Sequence, residues 1–262
     1  MTTVTFLGVG AALPAPGQTN CAYLIEGGGA RLLFDCGPAI LQQLAAVGKT
    51  PGDVTHVFIS HAHGDHALGW PMFLLWWALE GRDGRPFPVV IAGKSTWKHL
   101  RGLWEHSYSE LPAPPYKVVE LHDEFVSPHE MTPAAALNAY PMVHSTRSPV
   151  LGAALKLGSR YLAFTADTAR CDHISLMARH ADLLVHDARY AVTVPPDGSA
   201  QSKYHCSARD AGEYAEAAGV KNLALVHIGA EYEGRHDDLV AEARTRFAGH
   251  VFAPKAGDVF RL

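Results

Sequence analysis

The 262-residue chain reads as an α/β protein, and three features of the sequence predict this. Short runs rich in Val, Ile, Leu and Phe crowd each half of the chain, helical patterns fall between or after them, and many runs end on a side chain with chemistry to offer. That order favours two mainly β layers covered by helices over one all-parallel doubly wound sheet.

Taken in order, "VTFLGV", "CAYLIE", "RLLFD", "HVFIS", "FPVVIA" and "YKVVEL" predict the strands of the first half. "GAALKL", "YLAFTA", "DLLVHD", "NLALVHI" and "GDVFRL" predict those of the second. Helices are expected over residues 39–46, 65–79, 95–104, 175–179, 207–218 and 236–247. No internal repeat, low-complexity segment or Gly/Ser-rich linker divides the chain, so one domain over residues 1–262 is expected. Asp35, Ser60, Asp167, Asp187 and His227 stand at or just past apolar runs, the place where open α/β sheets gather their ligand sites.

Composition narrows the classes of function. A formal charge of −4 gives no global basic field to attract nucleic acid. The apolar run at residues 68–79 is too short to span a bilayer and is interrupted by Pro71, so no membrane role is expected. No basic leader precedes the first apolar stretch, and the cytoplasm is the expected compartment. Cys21, Cys36, Cys171 and Cys206 form no C-x-x-C pair and read as reduced thiols, at least partly buried. Histidine is the unusual item: 16 residues raise the expectation of a metal site, since neutral imidazole is the commonest metal ligand.

The stretch "ISHAHGDHALG" concentrates that chemistry in His61, His63, Asp65 and His66. His61 and His63 project to one side if the chain leaves the strand extended, and Gly64 permits the turn that returns Asp65 and His66 toward them. Four mixed N and O ligands suit zinc or a similar first-row ion better than calcium or magnesium. One zinc needs three protein ligands plus water, so the motif nearly overfills one site, and two adjacent metals resolve the excess. A surface histidine cluster with Asp65 capping a helix does not explain why three imidazoles stand so close.

This string resembles that of the metallo-β-lactamase-fold hydrolases. After it, "YPMVHS" supplies His144, "FTADT" supplies Asp167 and "LALVHI" supplies His227, in the family's order. The resemblance implies a four-layer αββα sandwich with a dinuclear metal site at the sheet edge. One metal would be held by His61, His63 and His144, the second by Asp65, His66 and His227, with Asp167 bridging. The implied cofactors are two Zn2+ ions, with Mn2+ or Fe2+ as alternatives. Within that superfamily the chain is similar to the ribonuclease Z branch, through "FLGVGAALPAP", "FTADT", "DLLVHDARY" and "HCSARDAGEYAEAAGVKNLALVHI". It implies His205 as general acid, oriented by Asp187 where that branch has a glutamate, with Asp65 also in the catalytic set.

The residues carry part of that case alone. Two cations acidify bound water to a hydroxide near neutral pH, so the nucleophile needs no further help, whereas the leaving alkoxide needs a proton. His205 precedes a helix, is not needed as a ligand, and a carboxylate such as Asp187 would fix its tautomer. His186 is expected beside the site rather than in it, the metal set being already full.

The expected function is hydrolysis of a small phosphodiester, cyclic or nucleotide-derived, with a sulfatase, lactonase or thioesterase as the alternative. His144 and Asp167 are only 23 residues apart, which leaves no room for the long arm of tRNA-binding members, and tRNA is not expected as a partner. Residues 68–116 hold Trp70, Trp76, Trp77, Trp97 and Trp104. That excess suggests a homodimer surface or an apolar wall over the metal cleft, hence a small-molecule ester substrate with an apolar part.

Overall fold

A computed structural model describes residues 1–81, 84–112, 114–145, 147–192 and 204–262. Strands β1 (Thr3–Gly8), β2 (Ala22–Gly27), β3 (Ala30–Phe34), β4 (His56–Ile59), β5 (Val89–Gly93) and β6 (Val118–Leu121) lie side by side in chain order. Strands β7 (Ser127–Thr132), β8 (Ala135–Met142), β9 (Val150–Leu157), β10 (Arg160–Phe164), β11 (Leu183–Asp187), β12 (Asn222–Val226) and β13 (His250–Phe252) form a second sheet, also in chain order. The last strand, β14 (Val259–Arg261), returns to pair with β1. Each sheet begins antiparallel and turns parallel, at β3–β4 in the first and β10–β11 in the second.

Parallel pairing needs crossovers, and helices supply most of them. α1 (Ile40–Ala46), α2 (Gly64–Ala67), α3 (Trp70–Glu80) and α4 (Lys94–Ser107) serve the first sheet. α5 (Asp172–Ala178), α6 (Ala208–Ala218) and α7 (His236–Arg244) serve the second. Strand periodicity then divides the apolar residues. Tyr23, Ile25, Leu32, Phe34 and Phe58 meet Leu137, Leu155 and Phe164 between the sheets, while the alternate residues Leu24, Leu33, Val57 and Ile59 join the cluster of α1, α3 and α4. Ala154, Ala163, Leu184 and Leu225 do the same beneath α5, α6 and α7. The result is the four-layer αββα arrangement that the resemblance implies.

Three local features differ from the sequence reading. The helix expected over 65–79 is two helices, because Gly69 packs so closely that an added Cβ would lie 2.1 Å from Gly37 O. Pro71 also lacks the N–H that a continuous helix would need there. β7, β8 and β13 are absent from the strands expected: "SPHEMT" is a half-exposed polar edge strand, "AALNAYPM" carries Asn138 and Pro141 among alanines, and "HVF" is only three residues long. Four tryptophans, Trp70, Trp77, Trp97 and Trp104, are buried with Phe73 and Leu74 on the outer side of the first sheet, so they fill a core and wall no cleft. Among the described residues no helix is long and apolar enough to cross a membrane.

Candidate metal centre

The ends of five strands, one in the first sheet and four in the second, deliver the chemical side chains to one place. β4 ends at Ile59, the chain stays extended at His63, and α2 then turns Asp65 and His66 back toward His61. His144, Asp167, Asp187 and His227 follow or close β8, β10, β11 and β12, and His205 just precedes α6. Among the described residues four non-glycines have positive φ, and three of them, Asp35 just after β3, Ala166 and His227, stand at strand ends with φ of 64, 53 and 56°. Such conformations cost of order 1–3 kcal/mol each and persist where surrounding structure enforces them, often at functional sites.

The side chains form groups with overlapping membership. Donor atoms of His61, His63 and His144 lie within 4.8 Å of one another, as do those of Asp65, His66, Asp167 and His227; Asp167 and His227 also come within that distance of Asp187 and His205. Asp167 reaches both groups. Its Oδ2 is 3.9 Å from His61 Nε2, 3.8 Å from His144 Nε2 and 3.3 Å from His227 Nε2, and its Oδ1 is 3.3 Å from His66 Nε2. Asp65 Oδ2 lies 3.2 Å from His66 Nε2 and 3.6 Å from His227 Nε2. Each sequence-expected ligand is therefore in one of the two groups.

Hydrogen bonds on the far side of the rings select their tautomers. His66 Nδ1–H donates to Asp35 Oδ2 at 2.7 Å, and His144 Nδ1–H donates to Tyr204 O at 2.8 Å. Ser60 Oγ–H donates to Asp35 at 3.0 Å, so it accepts from His61 Nδ1–H at 2.9 Å. In each case the Nε2 lone pair faces the cluster. The Nε2 atoms of His61, His66 and His227 are buried and in no geometry that makes a hydrogen bond, although carboxylate oxygens stand 3.2–3.9 Å away. Unpartnered buried nitrogens are costly, and convergent ones fit a metal ion.

The electrostatics agree. Burial alone would depress His66 and His227, yet Asp167, with Asp35 for one and Asp187 for the other, holds both well above the usual imidazole range. Burial would raise Asp167, but His227 and His66 hold it well below the carboxylate range. His61 goes the other way, pushed well down by burial and then by His66. The cluster demands positive charge where Asp35, Asp65, Asp167 and Asp187 converge, and two divalent cations would balance those four carboxylates. The mixed imidazole and carboxylate set suits first-row divalent ions.

His205 stands beside this cluster. Its Nδ1–H donates to Asp187 Oδ2 at 2.8 Å, its ring stacks on His227 at 4.8 Å between centroids, and it lines a cavity of about 390 Å³ with His63, Asp65 and Asp167. Asp187 also accepts from Thr168 N at 3.0 Å; burial would raise its carboxyl, but the His205 charge and hydrogen bond bring it down to about 2. His186 is fully buried, stacks on Tyr214 and bonds to Asp187 O, outside both groups. Cys206 is buried, which pushes its thiol up and leaves it unreactive. The sequence reading assigned no role to Asp35 or Ser60. Their position at apolar-run ends was the available signal.

A model of the β-lactamase superfamily domain matches residues 30–228. A ribonuclease Z from Halorubrum lacusprofundi is 30% identical over 311 residues, covering 99% of this chain and 96% of that protein. Among solved structures, the metallo-β-lactamase fold protein YhfI from Bacillus subtilis superposes with a TM-score of 0.80 at 24% identity, covering 99% of this chain and 98% of its own. The short form of human tRNase Z gives 0.75 at 24% identity, with 99% and 98% covered.

Proposed function

The chain belongs to the β-lactamase superfamily, in its ribonuclease Z-like branch, and from that premise we propose a metal-dependent hydrolase of phosphodiesters. Its preferred substrate is a small phosphodiester, cyclic or nucleotide-derived, and the whole of residues 1–262 acts as one domain. The observation that carries this reading is the His205–Asp187 hydrogen bond at the wall of the metal-fitting cavity.

Two Zn2+ ions, with Mn2+ or Fe2+ as alternatives, would be held by His61, His63 and His144 and by Asp65, His66 and His227, with Asp167 shared. Bound there, they supply Lewis acidity toward water and toward phosphoryl oxygens. The protein's own residues do the rest. Asp65, which also lines the cavity, would hold the second ion beside the place of attack, and His205 delivers a proton from Nε2 to the departing oxygen. Asp187 keeps the His205 proton on Nδ1 when the ring is neutral and stabilises the ring when it is charged.

Protein loaded with Zn2+ or Mn2+ turns over bis(p-nitrophenyl) phosphate, and His205→Ala lowers the rate by about 10²–10⁴-fold while retaining metal by elemental analysis. An unchanged rate in that variant rejects the general-acid role, and faster turnover of aryl sulfates, lactones or thioesters reassigns the bond.

A second reading, that the phosphodiester lies within an RNA, is favoured by the end-to-end similarity to ribonuclease Z. It pulls against the expectation that tRNA is not a partner, and cleavage of a precursor tRNA in preference to a dinucleotide would establish it. Leu68 just after α2, and Met72 and Leu79 on α3, are exposed and support a homodimer, measured by light scattering. The cytoplasm remains the proposed compartment.

A further inference from the structure

Beside the metal centre lies a second cavity of about 780 Å³, and the two share His63, Ser145 and Arg147 in their walls. Its outer wall is one face of α4, where Lys98, His99, Gly102 and His106 follow at spacings of one, three and four. No carboxylate stands among the described residues of that wall, although the chain as a whole carries more acidic than basic residues. Glu105 pairs with Arg101 away from it, at 3.5 Å, and Asp123 is engaged by Ser95 N and Oγ. The opposite face of α4 is anchored in the core by Trp97, Leu100 and Trp104.

Two details make this a shaped space. A Cβ added at Gly102 would meet nothing within 4 Å, so the absent side chain leaves the middle of the wall open. Ser145 Oγ accepts from Arg147 N and Ser148 N, each at 3.2 Å, and Arg147 borders both cavities.

We infer that this cavity is a subsite for a second phosphate group, carried on the organic part attached to the scissile phosphodiester. The inference rests on the phosphodiester reading of the metal centre. Lys98 offers a point charge, Arg147 a planar fork of donors, and His99 and His106 offer ring N–H groups. The volume falls within the range of about 300–1,000 Å³ that holds a nucleoside-sized ligand. The same chemistry serves a small nucleotide diester or the next phosphate along an RNA strand.

Calorimetry with the metal-loaded protein compares adenosine 3′,5′-bisphosphate with adenosine 3′-monophosphate. The wild type binds the bisphosphate about tenfold more tightly, and Lys98→Glu removes that preference. Gly102→Trp, which fills the open space, removes it too, whereas Gly102→Ala retains it. Equal binding of the two nucleotides by the wild type, or a preference that survives both Lys98→Glu and Gly102→Trp, overturns the subsite. A preference that persists in a protein unable to cleave bis(p-nitrophenyl) phosphate rejects the catalytic reading and leaves the subsite standing. A dinucleotide that captures the whole gain identifies a small substrate; a further gain with a longer single strand identifies RNA.

Discussion

The two halves of the metal centre are held in different ways. His61 and His144 lean on neutral atoms, Ser60 Oγ and Tyr204 O, whereas His66 leans on the Asp35 carboxylate and His227 Nδ1 faces Asp187 Oδ1 at 3.6 Å. A carboxylate behind an imidazole raises its basicity and fixes its ring, and such partners matter to metal affinity almost as much as the ligands. The second half also contains Asp65, so most of the buried negative charge gathers there. The half around His66 and His227 would therefore hold a cation more tightly than the half around His61, His63 and His144.

The largest effect follows from removing what the halves share. Asp167→Ala withdraws the carboxylate that reaches His61, His144, His66 and His227. Removing one partner from a buried charge cluster costs about 3–5 kcal/mol of stability, and activity falls by more than the roughly 10–100-fold typical of losing a partner behind a ligand. Elemental analysis finds less than the full metal complement; retention of both ions would show that the halves do not depend on a common ligand.

Asp35→Asn sharpens the asymmetry. Asp35 accepts from Ser60 N, Ser60 Oγ and His66 Nδ1, and an amide, with only one acceptor oxygen, must turn its NH2 toward one of those buried donors. Metal affinity falls by about 10–100-fold in competition with a chromogenic chelator. Ser60→Ala, which removes the neutral acceptor behind His61 and one of the three donors to Asp35 but leaves the carboxylate in place, costs about fivefold, the worth of about one net hydrogen bond. Equal losses in the two variants would break the comparison, because Ser60 would then carry as much as the carboxylate it relays.

Much of this was legible in the sequence. His61, His63, Asp65 and His66 fall in one turn, and Asp167 and His227 each follow a recognisable apolar run, so local pattern sufficed for them, whereas His144 follows the alanine-rich β8 and was legible only through the resemblance. Asp35 and Ser60 could be seen only as polar ends of runs. Their partnership arises because Phe34 pairs with Phe58 across the parallel β3–β4 ladder, which places residues 25 apart next to each other. The tryptophans misled for a related reason: periodicity shows which residues share a helix face but not whether that face looks at a sheet or a cleft. The polar face of α4, which borders the larger cavity, was legible only once the tryptophans had been placed behind it.

The smallest effect tests whether carboxylates at opposite ends of one strand do separate work. β11 runs from just after Asp182 to Asp187. Asp182 accepts from Tyr161 N at 3.0 Å and Lys221 Nζ at 2.6 Å, and its carbonyl accepts from Asn222 Nδ2, so it ties β10, β11 and β12 together at the end away from the metal centre. Burial would raise its carboxyl, but Lys221 and the Tyr161 N–H outweigh that and hold it below the usual range. A carboxyl depressed by folding stabilises the native state at pH above its unfolded value, and the contribution fades as pH falls through the folded one. Asp182→Asn therefore lowers stability at neutral pH by about 0.5–1 kcal/mol in urea unfolding, modest because Lys221 is exposed to solvent. The gap between variant and parent narrows below about pH 4. Metal content stays at the parental level if the two ends of β11 are independent; a loss of metal in Asp182→Asn would mean that the strand transmits strain from its structural end to Asp187.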